Sequence, residues 1–514
     1  MIMNPIIPIF VALPLAAAFL IMIFGKFIKN LHIFISFVTT LMLAILSVYA
    51  FIYVENGLQI YKAGGWEPIN TIPVAIYMVL DSFSVIILCI INLIGFISAL
   101  YSVSYIRQYT AKNNYYALLC LMIAGMNGVV LSGDLFNLFV FLEISVISSY
   151  ALVAFGVGRN ELEASFKYQV LGWLASLLIL LGISLIYWQT KTLNIADVKR
   201  VLNTEYSIPF YLFIQILFIS GFGLKAALIP FHAWLPDAHS SAPSPISAML
   251  SGVLIKAVGI YVIIRLFFNM FMITTEIAIL ITTLGTLSMV IGVFLAIGQW
   301  DLKRLLAYHS ISQMGYVVMS VGAGMILISR GKKPDVAALA IAGGIFHLIN
   351  HAVFKGLLFL NAGAIEYRTG TRDLKEMGGL APVMPATSAT SFIASMSISG
   401  IPPFNGFFSK LIIIIAAVYG RFYFLALLAV IVSIVTLASF MKFQRYAFQN
   451  KEPDRKNRAI NEVPFPMIFS MAVLAFFCLA LSMLAFPGVR EAILTPAVNI
   501  LMQSEIYTLQ IIGN

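Results

Sequence analysis

Apolar residues in this chain come in long unbroken runs, without the polar stripe of a surface helix or the alternation of a half-buried strand. The runs are about 18–28 residues long, enough to cross the hydrocarbon core of a bilayer as a helix. They lie near 5–24, 31–54, 75–100, 115–132, 134–156, 166–188, 209–229, 246–269, 272–297, 303–327, 336–363, 383–419 (interrupted), 422–447 and 464–486. The pattern predicts an all-α polytopic membrane protein of about fourteen transmembrane helices. A last apolar stretch, 489–511, carries Arg490, Glu491, Pro496 and Glu505. It is expected to be amphipathic and to lie at the membrane interface.

Two spans break the pattern in the same way. In the seventh, GFGLKAALIPF, Lys225 precedes a break at Pro230. In the twelfth, SISGIPPFNGFFSK, Lys410 follows a break at Pro402 and Pro403. Broken membrane helices occur where backbone lines a polar cavity or an ion path. The order of lysine and break is reversed between the two, as a two-fold axis in the membrane plane would produce. Five spans separate them, and only an odd number of crossings inverts topology. Two inverted five-helix repeats are therefore expected, spans 4–8 and 9–13. The chain divides on this reading into residues 1–110 (three spans), 111–270 (first repeat), 271–450 (second repeat) and 451–514 (last span and amphipathic segment).

Composition agrees with a membrane protein: 61% of residues are hydrophobic and 10% charged, against roughly 25% charged in soluble domains. The three cysteines, Cys89, Cys120 and Cys478, lie far apart in apolar runs, and there is no CxxC. This argues against an iron–sulfur or zinc site. No GxGxxG or GxxxxGK sequence offers a nucleotide site. No cofactor and no metal is expected, and the first apolar run reads as a true span, not a cleaved signal. The net charge of +10 lies mostly in loops, where it sets orientation and does not indicate nucleic acid. Loops after odd-numbered spans hold Lys26 and Lys29, Arg107 and Lys112, Lys303 and Arg304. The richest holds Lys442, Arg445, Lys451, Arg455, Lys456 and Arg458, whereas Arg330, Lys332 and Lys333 run against the trend. Both termini are expected outside.

The candidate chemistry lies in polar residues inside the spans. An ammonium near the bilayer centre costs roughly 3 kcal/mol. Taking an amine out of water disfavours its charged form, so such a group can hand its proton on. Lys225 is such a group, unless it snorkels from a helix end. Glu143, midway along the fifth span, is its expected partner, in a switchable or a purely structural ion pair. Lys256 lies in the eighth span with Ser247 and Ser251 one and two turns away, where local hydrogen bonding would also account for it. His309 is expected a turn or two below the surface at the start of the tenth span, as a relay member or as a hydroxyl-bonded core histidine. In HLINHAVFK, residues His347, His351 and Lys355 share one helix face at i, i+4, i+8. Each step is about 6 Å, too long for a direct hop and suited to relay through water. Imidazole titrates near neutrality and can shuttle protons through its two nitrogens. A metal would need further carboxylate or thiolate ligands that this face lacks. His232 and His239, with Asp237, lie in a Pro/Ser-rich loop or re-entrant segment, where they shape the chain or, as the lesser reading, form a surface antenna.

These segments together resemble a known family. GDLFNLFVFLE, GFGLKAALIPFHAWLPDAHSSAPSPISAMLSGVLIKAVGIY, DLKRLLAYHSISQMGY, FHLINHAVFKGLLFLNAGAI and SGIPPFNGFFSK look like the proton-pumping antiporter-like membrane subunits. That family includes the D-type subunit of Mrp sodium/proton antiporters, the large membrane subunits of respiratory complex I, and counterparts in archaeal membrane-bound hydrogenases and sulfur-reducing complexes. The resemblance covers about residues 115–440. It implies fourteen helices with two inverted five-helix repeats. It implies that Glu143 pairs with Lys225, that Lys256 is a relay base, that His347, His351 and Lys355 form the central relay, and that Lys410 is the terminal site. The IPPFNGFFSK context looks most like the Mrp D-type subunit and the archaeal complexes.

The expected function is a subunit that moves protons across the mid-membrane plane, alone or in exchange for sodium, within a multi-subunit complex in a prokaryotic cell membrane. The proton pathway would comprise Glu143, Lys225, Lys256, His309, His347, His351, Lys355 and Lys410. The rival is a non-pumping structural or coupling subunit of a membrane oxidoreductase. A catalytic redox subunit has no support in the residues.

Overall fold

The computed structural model describes residues 6–54, 57–66, 73–202, 208–450 and 460–512. The basic residues Lys451, Arg455, Lys456 and Arg458 lie outside them. The elements run α1 (Ile9–Phe24), α2 (Leu31–Val54), β1 (Gln59–Ala63), β2 (Ile76–Leu80), α3 (Ser82–Gln108), α4 (Lys112–Leu131), α5 (Leu135–Val153), α6 (Arg159–Thr190) and α7 (Ile195–Leu202). They continue with α8 (Ile208–Lys225), α9 (Trp234–Ser241), α10 (Ser244–Asn269), α11 (Thr275–Ile297), α12 (Leu302–Ser329), α13 (Pro334–Thr369), α14 (Pro385–Ser399) and α15 (Asn405–Tyr419). The last are α16 (Tyr423–Gln444), α17 (Phe465–Ala480), α18 (Pro487–Met502) and α19 (Ser504–Ile512). Among the described residues, eleven helices are long and apolar enough to cross a membrane. Shorter apolar helices at α1, α8 and α15 supply the rest, so each expected span has a counterpart.

The third span is corrected at its start. Residues 76–80 are not helical but pair antiparallel with β1, from Gln59↔Leu80 to Ala63↔Ile76. The helix cannot begin earlier because Asp81 caps it. Its Oδ1 accepts from the backbone N–H of Phe83 (3.0 Å) and Ser84 (2.8 Å), and the Asp81 backbone N–H donates in turn to Ser84 Oγ. The final apolar stretch forms two helices. In α18, Leu494, Ala497, Val498 and Leu501 form its buried face. In α19, Tyr507 and Ile511 pack with Tyr77 and Val79 of the hairpin and with Ala196 of α7.

The interior is built around α10, which is buried along its whole length, with α12 and α13 nearly so. Helices α2, α6, α16 and α17 turn large apolar side chains outward, among them Phe34, Trp173, Leu177 and Phe424. That is how the rim of a bundle in lipid is composed. Close approach inside depends on small residues. A Cβ on Gly315 of α12 would collide with the Met289 backbone nitrogen on α11. The units α4–α10 and α11–α16 each carry one broken span in fourth place: α8 with α9, and α14 with α15. Lys225 ends the first half-helix of one, and Lys410 lies past the break of the other.

Candidate functional site

Lys225 is the last residue of α8. Beyond it the chain turns, with Ala227 at φ 54, and α9 returns so that Trp234 Nε1 donates to the Leu224 carbonyl (3.0 Å). The turn packs against α10 because Gly259 has no side chain: a Cβ there would stand 2.7 Å from Ala226 Cβ. Lys225 Nζ lies 3.6 Å from Glu143 Oε1 of α5. Between them sits a residue the sequence reading missed. Ser176 of α6 accepts from Lys225 Nζ (3.0 Å) and donates to Glu143 Oε1 (2.5 Å). The lysine side chain is 2% exposed and the carboxylate 21%. The carboxylate is therefore the more accessible partner of the pair.

Lys256 stands where α10 is widened by two π-helical turns, Leu250–Leu254 and Lys256–Ile260. Such bulges recur at functional sites because they free backbone groups. Lys256 Nζ donates to the Ser251 carbonyl. The local hydrogen bonding expected at Lys256 is therefore to a backbone carbonyl, and the two serine hydroxyls bond elsewhere. Ser247 Oγ donates to the His239 carbonyl (2.8 Å), and Ser251 Oγ pairs with Ser310 Oγ of α12 (2.7 Å). Ser310 Oγ donates to the Leu306 carbonyl (3.1 Å), which also receives Lys355 Nζ of α13 (2.5 Å). Two serines and a carbonyl thus tie the first repeat's Lys256 to the second repeat's Lys355.

On α13 the expected face is present. His347, His351 and Lys355 are all fully buried. His347 Nδ1 meets Ser409 Oγ of α15 (2.9 Å) and its Nε2 meets Gln313 Oε1 of α12 (3.2 Å). Neither ring nitrogen of His351 has a hydrogen-bond partner. The ring of Tyr316 lies 5.5 Å from that of His347 and 5.1 Å beneath Lys410 Nζ. Lys410 Nζ donates to the Ile398 carbonyl (2.8 Å) and to Ser433 Oγ (3.3 Å). His309 is fully buried two turns into α12, and its Nε2 meets Ser439 Oγ of α16 (2.8 Å). It stands beside the line, on the α16 side.

The geometry therefore falls into separate groups. One is Glu143–Ser176–Lys225. A second joins Lys256 to Lys355 through Ser251, Ser310 and the Leu306 carbonyl, and a third joins His347 to Lys410 through the ring of Tyr316, with His351 between these two on α13. No hydrogen bond among the described residues joins Lys225 to Lys256. The three loop residues are not brought together at the surface: His239 is fully buried, His232 is half-buried, and Asp237 lies in a charged cleft with Lys167 (3.1 Å) and Arg304 (2.6 Å). The sequence reading also overlooked a second buried ion pair, Asp81 with Arg265 (2.8 Å). Arg265 is further held by Asn269 and by the ring faces of Phe83, Tyr261 and Tyr507. That pair fastens α3, α10 and α19 at the hairpin end. The missed hydroxyls had a weak signal, a serine or glutamine inside an apolar run, with nothing to name its partner.

A family profile described as NADH:quinone oxidoreductase/Mrp antiporter, TM, matches residues 132–436. The chain is 35% identical to the D-type subunit of the Na(+)/H(+) antiporter of Alkalihalophilus pseudofirmus, over 91% of its own length and 92% of that protein. Its fold superposes with TM-score 0.86 and 27% identity on a chain of the Mrp complex from Dietzia sp. DQ12-45-1b, covering 99% of both. A chain of the membrane-bound sulfane sulfur reductase, an archaeal respiratory membrane complex, matches at TM-score 0.85 and 27% identity, over 98% of this chain and all of the other. The matched region contains every residue of these groups, from Glu143 to Lys410, and the chain belongs to the NADH:quinone oxidoreductase/Mrp antiporter membrane family.

Proposed function

We propose that this chain is the proton-translocating subunit of a multi-subunit membrane complex, and that protons move along Lys225, Lys256, Lys355, His351, His347 and Lys410. His309 is a side branch on this reading. The observation that carries it is the Glu143–Ser176–Lys225 contact, in which a partly exposed carboxylate holds a buried ammonium through one hydroxyl. While Glu143 stays, the charged lysine is favoured. When it leaves, desolvation favours the neutral amine, and the proton moves on toward Lys256. The hydroxyl and carbonyl contacts around Lys256 and Lys355 give the next transfers a path across the repeat boundary.

The relatives point to two kinds of coupling, sodium exchange in the antiporter and respiration in the sulfur reductase complex. Proton movement through this chain serves either. The functional units are residues 111–270 and 271–450, flanked by 1–110 and 451–514. On this reading both termini face outward, since Lys26, Lys29, Arg107, Lys112, Lys303 and Arg304 lie in the connections after odd-numbered spans or in the helix turns beside them. The test is proton uptake by vesicles holding the assembled complex. Glu143→Gln or Lys225→Ala abolishes coupled uptake while the complex still assembles. Normal uptake in either variant rejects the proposal and favours a structural or coupling role.

A further inference from the structure

At the end of the bundle opposite the hairpin, the start of α2, the end of α3 and the start of α4 enclose an open cavity of about 310 Å³. One wall is basic. Arg107, exposed in the last turn of α3, and Lys112, the first residue of α4, both line it. Arg107 Nε donates to the Val103 carbonyl of its own helix (3.2 Å), and its terminal guanidinium nitrogens are left over. Neither cation has a carboxylate within ion-pair distance among the described residues. Lys29 adjoins Asn30, a further polar residue of the wall. Like charges gathered without a counter-ion repel one another, so the space between them favours an anion.

Charges that only set orientation could stand anywhere on this side of the membrane, and they would not account for Tyr116. This residue, one turn into α4, is 2% exposed and lines the cavity. Its hydroxyl has no hydrogen-bond partner among the described residues, and the charge whose field reaches it is that of Arg107. A buried phenol usually finds a partner. The ring is packed between His32 of α2 (5.3 Å between centroids) and Tyr115 (5.2 Å), which fixes where the hydroxyl lies. Ser102, in the same wall, is by contrast satisfied by the Ser98 carbonyl (2.6 Å) and Tyr115 Oη (2.7 Å). The rest of the lining is apolar: Ile33 of α2, with Val103 and Ile106 of α3. Beside the cavity Phe27, Ile28 and Phe34 are exposed. Cations at the ends of spans, next to exposed aromatic and aliphatic side chains, mark the depth of lipid headgroups.

We propose that this cavity binds the phosphodiester headgroup of an anionic phospholipid. Arg107 and Lys112 hold the phosphate, Tyr116 donates to one of its oxygens, and Asn30 meets the hydroxyl groups of the headgroup. A guanidinium fork suits phosphate geometry, and the ammonium adds a point charge. The acyl chains run over Ile33 and Phe34 into the bilayer. The basic wall selects an anion, and the apolar border selects one that carries acyl chains over free phosphate or an acidic protein segment. The bound lipid bridges α2 and α3, in the first three spans, to α4 at the start of the first repeat. It serves the complex in this way whether or not the chain moves protons.

The test uses the assembled complex, stripped of lipid in neutral detergent and supplied with phosphatidylglycerol that carries a diazirine near the glycerol end of one acyl chain. After irradiation, mass spectrometry locates the labelled peptides. Label should fall on the residues around this cavity, in α2, the end of α3 and the start of α4. Unlabelled phosphatidylglycerol should compete for the site, whereas phosphatidylcholine and excess inorganic phosphate should not. Arg107→Gln combined with Lys112→Gln should weaken the lipid's apparent affinity about tenfold with assembly unchanged. Tyr116→Phe should weaken it about threefold, and it decides the matter if the double variant fails to assemble. Arg159→Gln, which removes an exposed cation after the fifth span, should leave labelling as it is. Unchanged labelling in the cavity variants, equal competition by phosphatidylcholine, or no label at the cavity in the parent complex overturns the inference. Displacement by inorganic phosphate would make the ligand a free anion and overturns the lipid assignment.

Discussion

The two broken spans use the same backbone device for two different electrostatic environments. Lys225 ends α8 and is matched by a carboxylate through Ser176. Lys410 has no carboxylate within ion-pair distance among the described residues. It reaches back across the break to the Ile398 carbonyl in the last turn of α14, and its charge lies over the face of Tyr316. Helix C-termini and aromatic faces both favour a cation, by partial charges alone. Gly400, at φ +79, keeps the bend open for it, since a Cβ there would stand 3.0 Å from Lys410 Cδ. The first site can be switched by moving one formal charge. The second has nothing comparable to move, which suits a group that accepts and releases without being commanded.

The largest expected effects test that difference. Lys225→Ala and Lys410→Ala should each lower proton flux by about a hundredfold, equivalent to about 2.7 kcal/mol. Glu143→Gln should add little on top of Lys225→Ala, because the two act as one unit, but should compound with Lys410→Ala. Additivity between Glu143 and Lys225, measured as flux in a double-mutant cycle, would break the switch. Assembly should survive in both cases at the first site. Glu143 left alone is partly exposed and can hydrate, and the amide introduced by Glu143→Gln would still accept from Ser176.

Lys410→Glu comes next, with flux reduced but present. A protonated carboxyl can donate to the Ile398 carbonyl as the ammonium does, whereas an ionised one would face carbonyl oxygens and a ring face. Flux as low as in Lys410→Ala would show that the cation itself is required.

The spans and both breaks were legible because membrane helices are written as composition, with prolines and glycines as punctuation. The buried lysines were legible because each stands out against that background. Three things were not. The strand at 76–80 is as apolar as a span, and only its pairing with β1 and the Asp81 cap separate it from α3. Ser176, Gln313 and Ser310 join helices distant in sequence, so their partners exist only once the bundle packs. For His239 the Pro and Ser density left a loop and a re-entrant segment both open, and only the packing of α9 back into the bundle shows the ring to be fully buried.

Ser176→Ala should cost about tenfold in flux, close to the ~1.4 kcal/mol of one charge-assisted hydrogen bond. The 3.6 Å contact between Lys225 and Glu143 would remain, so the pair is loosened and not abolished. Ser176→Thr, which keeps the hydroxyl, should recover most of the loss. If both variants transport at the normal rate, the hydroxyl is only packing and the ion pair alone sets the switch.

The smallest effect should come from the middle of the line. His351 bonds to nothing among the described residues, while His347 is held on both sides by Ser409 and Gln313. Removing His351 opens room beside Lys355 in a site already lined by polar groups, and water can occupy it. His351→Ala should therefore slow flux only about threefold, less than any change at either lysine end. His347→Ala should slow it more, since it takes one partner from Ser409 and leaves Gln313 Oε1 unpaired. The order matters more than the sizes. If His351→Ala proved as damaging as Lys410→Ala in the same flux assay, the centre of the line would not be a water-bridged passage between two anchored ends. It would be a third anchored site, and the contrast between the two broken spans would no longer describe how the pathway is controlled.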